Sequence, residues 1–379
     1  MPVAQPPLRT AAVWALLLAS SLTVMSGAIV APALPLIAEN FKAVPHADLL
    51  SRLVSTMPAL ALSLTRMLAG TLADRWGRRP LLLNSLVLYA IAGTSGLYLD
   101  HLYAILAGRF LLGLAVAGIM TASSTMIGDL LQGESRQRFL GLQAACMSAG
   151  GVLFIPLGGV LTQISYHAPF AVYAASLLVI PLAASTLAET RRPKSEQAPK
   201  PAATAARLSP AILIAILTLA ILLQVAFYLG PVQSAFLIKD KFQGSGLASG
   251  IAVAVMTLTA AIVSLNFARI TRGRSPWLIA TVTSIGMSAG CFIIANASSF
   301  GMVVLGLAVF GVGAGFIMPN LMSWLMRLAS ESVRGRATGA LTAAIFAGQF
   351  LSPLVFQPAV RAGGGPHAFT TAGIGLAPL

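Results

Sequence analysis

The chain has 379 residues, of which 57% are hydrophobic and 9% charged, whereas soluble proteins average about 25% charged residues. This composition excludes an ordinary soluble domain and predicts a polytopic membrane protein. The formal net charge of +14 could indicate a nucleic-acid partner, but most lysines and arginines fall in connections that share one predicted membrane face. Because basic residues collect in cytoplasmic loops, the excess predicts a cytoplasmic N-terminus and no nucleic-acid binding. The exceptions are Lys42, Arg52, Lys239, Lys241 and Arg361 at the other face, and Arg66 and Arg109 inside spans.

Apolar runs of roughly 20 residues are long enough to cross a bilayer as helices. In the first half they cover residues 11–38, 49–72, 80–99, 102–130, 139–165 and 169–187. In the second half they cover 210–238, 247–267, 276–295, 300–325 and 337–360, and the final stretch 366–379 is too short to span alone. The first run is too long for a cleaved signal peptide, so we expect it to remain as helix 1.

Short patterns of the first half recur in the second half at an offset of roughly 200 residues, which is typical of an internal repeat. The recurring pairs are Arg136-x-Arg138-x-x-Gly141 with Arg334-x-Arg336-x-x-Gly339, Gly77-Arg78-x-Pro80 with Gly273-Arg274-x-Pro276, and His167-Ala168 with His367-Ala368. A six-helix unit repeated in parallel is therefore predicted. The halves are residues 1–188 and 210–379, and 189–209, rich in alanine, proline and charge, form a flexible cytoplasmic linker. By this register helix 12 lacks its last two turns.

The connection between helices 2 and 3 places charges and glycines in one tight turn. It reads Gly70-Thr-Leu-Ala-Asp74-Arg75-Trp-Gly77-Arg78-Arg79-Pro80. This pattern resembles the signature loop after the second helix of Major Facilitator Superfamily transporters. The resemblance implies an all-α, twelve-helix bundle of two six-helix repeats that moves a small molecule by alternating access, not an enzyme.

The acids near this loop should each find a positive partner. Asp74 is expected beside the N-terminus of helix 11, where the helix dipole favours an anion, and Gly70 and Gly77 would permit that approach. Asp129 ends helix 4, where the dipole disfavours an acid, so it needs a cationic partner, either Arg78 or Arg79. The resemblance implies that Asp74, Arg78 and Asp129 form a latch that holds the halves together while the cavity faces outward. The alternative is that each is a solvated loop charge.

Arg109 lies inside helix 4 and is followed by Gly113. An ionisable group at membrane depth is costly and indicates function. The R-x-x-x-G setting resembles a proton-coupling motif of the superfamily, in which a glutamine commonly occupies the position of Leu112. Two alternatives stay open: an arginine held by backbone carbonyls for packing, and one that binds the substrate of a sugar or organic-anion carrier.

Helix 5 is rich in glycine, which favours a kinked and closely packed interface. Its motif residues are Gly150, Gly151, Pro156, Gly158 and Gly159. The spacing resembles the helix 5 motif of drug/proton antiporters, although Ile155 replaces a glycine before Pro156 and the gap to the glycine pair is one residue short. The resemblance implies export.

No acid or histidine falls at mid-membrane in the predicted spans, so no metal site, cofactor or membrane-enzyme centre is predicted. Helices 1, 4, 7 and 10 line the pathway in this superfamily. The cavity candidates chosen by residue type are Thr23, Met25, Met120, Thr121, Gln224, Phe227, Tyr228, Asn320 and Trp324. An apolar lining with a few hydrogen-bonding groups suits a lipophilic or amphipathic solute. We therefore expect a monomeric, proton-coupled exporter in the cytoplasmic (inner) membrane, with a carrier of sugars or anions as the alternative and a non-transporting sensor or enzyme as a more distant one.

Overall fold

The computed structural model describes residues 10–131, 133–189 and 209–377, and for residues 66–74 and 331–332 it describes the backbone alone. Within this part of the chain, eleven helices are long and apolar enough to cross a membrane. The last of them, Val333–Leu376, joins two helical segments across a kink at Gly363 and Gly364. The predicted all-α polytopic fold is confirmed, while most of the predicted linker lies outside the described residues.

The helices follow the predicted order. The first half contains α1 (Thr10–Asn40), α2 (Ala47–Trp76), α3 (Arg78–Thr94), α4 (Leu102–Leu130), α5 (Gly133–Leu161) and α6 (Ala168–Thr186). The second half contains α7 (Pro210–Phe242), α8 (Gly246–Leu265), α9 (Pro276–Ala295), α10 (Phe300–Leu328), and then α11 and α12, which are the parts of Glu331–Leu376 before and after the kink. The bounds of α4 and α9 are those predicted, whereas α5 begins six residues before the predicted start at 139.

Two helices that the sequence predicted as continuous are broken. In α1, regular helix ends at Ala28, a 3-10 turn covers Ala31–Ala33, and helix resumes at Leu34. Pro32 and Pro35 lie in the first turn of these two pieces, where the backbone N–H has no partner within the helix and its absence costs little. The prediction was wrong here because apolar composition does not distinguish a straight span from one interrupted by proline.

The break in α10 follows Ala314, and helix resumes at Ile317. A side chain on the intervening Gly315 would lie 2.5 Å from the carbonyl oxygen of Ala260 on α8. The glycine therefore lets α8 and α10 approach closely at the point where α10 is interrupted.

Buried apolar side chains form two main clusters, one for each half. The first is built from residues between Ala12 and Leu187, and the second from residues between Ile216 and Leu376. The exceptions are informative: Val232 and Phe236 of α7 belong to the first cluster, and Ile155 of α5 belongs to the second. These side chains, together with contacts of α2 with α11 and of α5 with α8, join the two halves.

Candidate functional site

A cavity of about 350 Å³ lies between the two halves. The first half contributes α1 and α5 to its wall, and the second half contributes α7, α8 and α10. The residues that line it are Val24, Met147, Ser148, Gln224, Phe227, Thr257, Ala260, Ala261, Ser264, Ala314, Gly315, Ile317 and Met318. None of these lining residues is ionisable, so the cavity offers apolar surface, one aromatic ring and a few neutral hydrogen-bonding groups.

Two of the predicted cavity residues, Gln224 and Phe227, lie in this wall. The side-chain oxygen of Gln224 accepts a hydrogen bond from Nε2 of Gln349 on α11 at 3.3 Å. The ring of Phe227 stacks on Phe310 of α10 with 6.5 Å between centroids. The amide pair and the aromatic stack hold the α7 side of the cavity in place.

Five other predicted cavity residues are not among the lining residues. Met25 is fully buried, and the hydroxyl of Thr23 donates to a carbonyl of its own helix at 2.6 Å. The hydroxyl of Tyr228 lies against α1 at Gly27. Met120 packs on the core of the first half, and the Thr121 carbonyl accepts from a hydroxyl one turn later at 2.8 Å. Their contact with a substrate stays a prediction.

Asn320 and Trp324 lie where α10 meets α9. The Asn320 side-chain amide donates to the carbonyl of Pro276 at 3.0 Å, and the Trp324 ring packs edge-to-face on Trp277 at 4.5 Å. Asn320 is almost fully buried, and its side-chain oxygen has no hydrogen-bond partner among the described residues. Both residues support a helix contact, and the structure does not bring them to the cavity wall.

Arg109 is fully buried and makes its contacts with backbone and rings of neighbouring helices. Its Nε donates to the carbonyl of Val54 on α2 at 2.9 Å, and its Nη2 donates to the carbonyl of Ser26 on α1. The guanidinium also lies 5.1 Å from the ring centre of Tyr173 and 5.9 Å from that of Phe170. None of the ion pairs found in the described part of the chain includes Arg109, so carbonyl dipoles and aromatic faces are what stabilise this buried cation.

The carbonyls that Arg109 binds are ones that the helices leave without an amide donor. In α2, Pro58 occupies the position whose N–H would bond the Val54 carbonyl, and proline has none. In α1, regular helix ends at Ala28, so the carbonyls of its last turn need outside donors. The Tyr173 hydroxyl reaches the Ser26 carbonyl at 3.1 Å, beside Arg109. Arg109 therefore braces the Pro58 position of α2 and the break of α1 together.

Gly113 explains the second half of the R-x-x-x-G pattern. A side chain at Gly113 would lie 2.4 Å from the carbonyl oxygen of Pro58 and 2.7 Å from Cβ of Ala61. Only glycine allows α4 to approach α2 this closely, one turn from Arg109. The structure thus has the backbone-held arginine that was one alternative at the sequence level, and a role in proton coupling stays a proposal.

The predicted ion pair between Arg78 and Asp129 is present, and both side chains are largely shielded from solvent. It joins the first residue of α3 to the last turn of α4. Gly77, the residue before α3, adopts φ +96°, which favours glycine. Only the backbone of Gly70 and Asp74 is described, so the full latch stays a prediction.

Glu189 belongs to the same cluster, and the sequence analysis missed it. Its carboxylate accepts hydrogen bonds from the backbone N–H of Arg78 at 2.8 Å and of Arg79 at 3.2 Å. The Arg79 guanidinium donates to the carbonyl of Ala184 near the end of α6 at 2.6 Å. An acid at a helix N-terminus satisfies orphan amides and interacts favourably with the dipole. Two features of the sequence could have indicated this contact. Glu189 is an acid just after helix 6, and Gly77, the N-cap of α3, has no side chain that could accept a hydrogen bond.

Two glycines of the helix 5 motif lie at very close helix contacts. A side chain on Gly158 would lie 2.1 Å from the carbonyl oxygen of Ile29, in the break of α1. A side chain on Gly159 would lie 2.4 Å from the carbonyl oxygen of Gly246, at the start of α8. One glycine pair therefore fits α5 against its own half and against the other half at the same level.

The remaining motif residues extend the close contact between α5 and α8 toward the cavity, and we call this contact the glycine seam. A side chain on Gly151 would lie 3.0 Å from Thr257, which lines the cavity, while Gly150 has only ordinary contacts. Pro156 lies opposite Gly250 of α8, where an added side chain would come within 2.9 Å of the proline Cα. The seam between α5 and α8 thus depends on small residues from both halves.

A polytopic helical bundle with two cores, a neutral cavity between them and a buried arginine bonded to the backbone of two neighbouring helices is the architecture of a membrane carrier. Residues 16–353 match the sequence profile of the Major Facilitator Superfamily. The chain belongs to this superfamily and is a transporter, and the predicted resemblance is confirmed.

Curated relatives include tetracycline and multidrug resistance proteins from several bacteria. The chain is 32% identical over 370 residues to the tetracycline resistance protein, class G, of Vibrio anguillarum, covering 92% of this chain and 90% of that protein. It is 28% identical over 304 residues to the class C protein of Escherichia coli, covering 76% and 74%. It is 25% identical over 297 residues to multidrug resistance protein 1 of Bacillus subtilis, covering 76% and 75%.

Solved structures share the fold over nearly the whole chain. A D-xylose–proton symporter superposes with a TM-score of 0.76 at 15% identity, covering 97% of this chain and 96% of that one. The human organic anion transporter MFSD10 superposes with a TM-score of 0.71 at 21% identity, covering 98% of each chain. At these identities the likeness concerns the fold alone.

Proposed function

We propose that the protein exports a small lipophilic or amphipathic molecule by alternating access, in exchange for protons. In this proposal it acts as a monomer in the bacterial cytoplasmic membrane with its N-terminus in the cytoplasm. The observation that carries the proposal is the cavity between the two halves, whose described lining is apolar and aromatic with only neutral polar groups. Such a lining favours solutes by apolar contact and a few hydrogen bonds, and the named relatives include tetracycline and multidrug resistance proteins.

Alternating access requires that the two halves separate at one face while they close at the other. The two apolar cores, with the glycine seam of α5 and α8 between them, fit halves that move as units. The cluster of Arg78, Asp129 and Glu189 ties α3, α4 and the end of α6 together, so it helps the first half to move as one of these units. A ligand or proton then shifts the balance of two existing states.

Proton coupling enters the proposal through Arg109. Its contacts join the break of α1 to the Val54 carbonyl of α2, and α1 also contributes Val24 to the cavity wall. Loss of Arg109 should therefore impair the conformational change more than the cavity itself. We expect Arg109→Ala to retain equilibrium substrate binding and to lose uphill transport.

A second candidate is a carrier of organic anions, favoured by one observation. The Nη1 atom of Arg109 is buried and has no hydrogen-bond partner among the described residues. If it bound an anionic substrate, Arg109→Lys would keep the charge and lose the fork-like geometry, so affinity would fall while some transport remained. Loss of substrate binding in purified Arg109→Ala would favour this candidate over coupling.

The experiment that tests export is growth of an efflux-deficient bacterial strain across a compound panel, with and without the protein. The panel should hold tetracyclines, lipophilic cations, neutral amphipathic drugs and organic anions. Resistance to lipophilic or amphipathic compounds supports the proposal. Resistance confined to anions supports the second candidate, and no change across the panel contradicts export.

A further inference from the structure

The face opposite the Arg78 cluster, predicted to be the outer face, carries several polar contacts between the two halves. Glu39 forms an ion pair with Lys239, and Nη2 of Arg361 lies 3.4 Å from Nδ1 of His46. These four side chains are partly or largely exposed, and exposed polar pairs typically contribute little to stability. The residue that differs from them is Arg52.

Arg52 is a charged side chain of α2 that is only 5% exposed. Its Nε donates to the side-chain oxygen of Gln233 on α7 at 3.1 Å, and its guanidinium lies 4.0 Å from the ring centre of Phe236. Gln233 and Phe236 are three residues apart on α7, so they share one helix face. On its own helix, Arg52 donates to the carbonyl of Asp48 at 2.5 Å. The first half therefore supplies the cation, and the second half supplies both the amide and the ring that receive it.

The surroundings of Arg52 favour opening as well as closing. A vestibule of about 380 Å³ lies beside it, lined by residues of both halves that include Asp48 of α2 and Gln357 and Arg361 of α11. Burying a cation costs hydration, which its hydrogen bonds and the ring must offset. When the halves separate, the guanidinium loses Gln233 and Phe236 but regains water from the vestibule. The closed state thus has only a small advantage, which is what a reversible gate needs.

We propose that Arg52, with Gln233 and Phe236, is the gate that closes the predicted outer end of the transport path. The inference rests on the proposed alternating access and assigns the closing contact to these three residues. Val232 lies one turn from Phe236 on the same helix face, is buried, and packs in the core of the first half. It therefore becomes accessible when the halves separate past Arg52.

The test is thiol labelling of purified protein in detergent, which needs neither a substrate nor a proton gradient. The background carries Val232→Cys and Cys146→Ser and keeps Cys291, which is fully buried in the second half. Loss of the charged hydrogen bond and the ring contact in Arg52→Ala should raise the maleimide labelling rate at position 232 about tenfold. Arg52→Lys retains a cation over Phe236, so its labelling rate at position 232 should lie between the rates of the background and of Arg52→Ala.

Two further variants separate a gate from general loosening. Phe236→Leu keeps apolar bulk and removes the ring, so it should raise the rate several-fold. Lys241→Ala is the matched control, because Lys241 donates at 2.7 Å to the carbonyl of Ala297 within the second half and its loss should change nothing. The proposal is overturned if Arg52→Ala labels at the background rate, or if Cys291 labels together with position 232. A failure here would leave export itself untouched, since the compound panel tests that separately.

Discussion

Replacing Arg109 by alanine should destabilise the first half, and the size of the loss should depend on whether residue 58 is proline. The change removes the donor to the Val54 carbonyl, which Pro58 leaves without an amide, while the Ser26 carbonyl keeps the Tyr173 hydroxyl. An orphaned buried carbonyl costs about 1–3 kcal/mol, and the lost packing of the arginine stem adds to this. Relief from burying a cation offsets part of it. We expect a net loss of about 2–4 kcal/mol.

The assay is thermal denaturation of the purified protein in detergent, followed by tryptophan fluorescence. A loss of this size should lower the midpoint by roughly 3–5 °C for a chain of this length. Arg138→Ala is the matched control, since that side chain is 79% exposed and pairs with Glu134 one turn away. Its effect should stay below about 0.5 kcal/mol.

The decisive variant is Pro58→Ala, because alanine restores an N–H that can bond the Val54 carbonyl within α2. In that background Arg109→Ala should cost about 1 kcal/mol less than it does with proline in place. Residues in contact couple in this way, whereas independent sites add within about 0.5 kcal/mol. Equal costs in the two backgrounds would refute the assignment of Arg109 to the carbonyl that Pro58 leaves unbonded.

Three other predictions concern the latch, the glycine seam and the topology. Asp74→Asn and Asp129→Asn should each weaken transport without preventing insertion or substrate binding, because a loss of about 1–2 kcal/mol changes the ratio of two conformations roughly five- to thirty-fold. Strict additivity in the double variant would argue against one cluster. Gly158→Ala should sharply reduce folded yield or transport, because the new side chain meets a backbone carbonyl, while Gly141→Ala, with nothing within 4 Å, should behave as wild type. In intact cells an impermeant thiol reagent should label a cysteine at Lys241 and spare one in the predicted linker; labelling of the linker from outside would reverse the orientation.

Hydropathy located the helices well because burial in a bilayer requires long apolar runs. The ends of α4 and α9 matched because polar and proline residues mark them, such as His101 before α4 and Ser275, whose side chain caps α9. The break in α1 was missed although Pro32 and Pro35 were visible. Membrane helices tolerate proline when other groups satisfy the backbone, and here those groups are on α2, α4 and α6.

Features of the candidate site that depend on one residue could be predicted from the sequence. Contacts between residues that are distant in sequence could not. The burial of Arg109 followed from a charge inside an apolar run, but its carbonyl partners lie on two other helices. Asn320 was chosen by residue type alone, and its amide instead bonds the carbonyl of Pro276. Glu189 and Arg52 were missed because each acts through a segment distant in sequence, on α3 and α7.

Proton-driven uptake into inside-out membrane vesicles tests the proposed function most directly. A radiolabelled compound to which the protein confers resistance is added, and the vesicle lumen is acidified by respiration. The compound should accumulate in vesicles that contain the protein and leave when the pH gradient is collapsed by nigericin; Arg109→Ala vesicles should bind it without accumulating it. Accumulation that persists after the proton gradient and membrane potential are both collapsed, or that never exceeds protein-free vesicles, would contradict proton-coupled export.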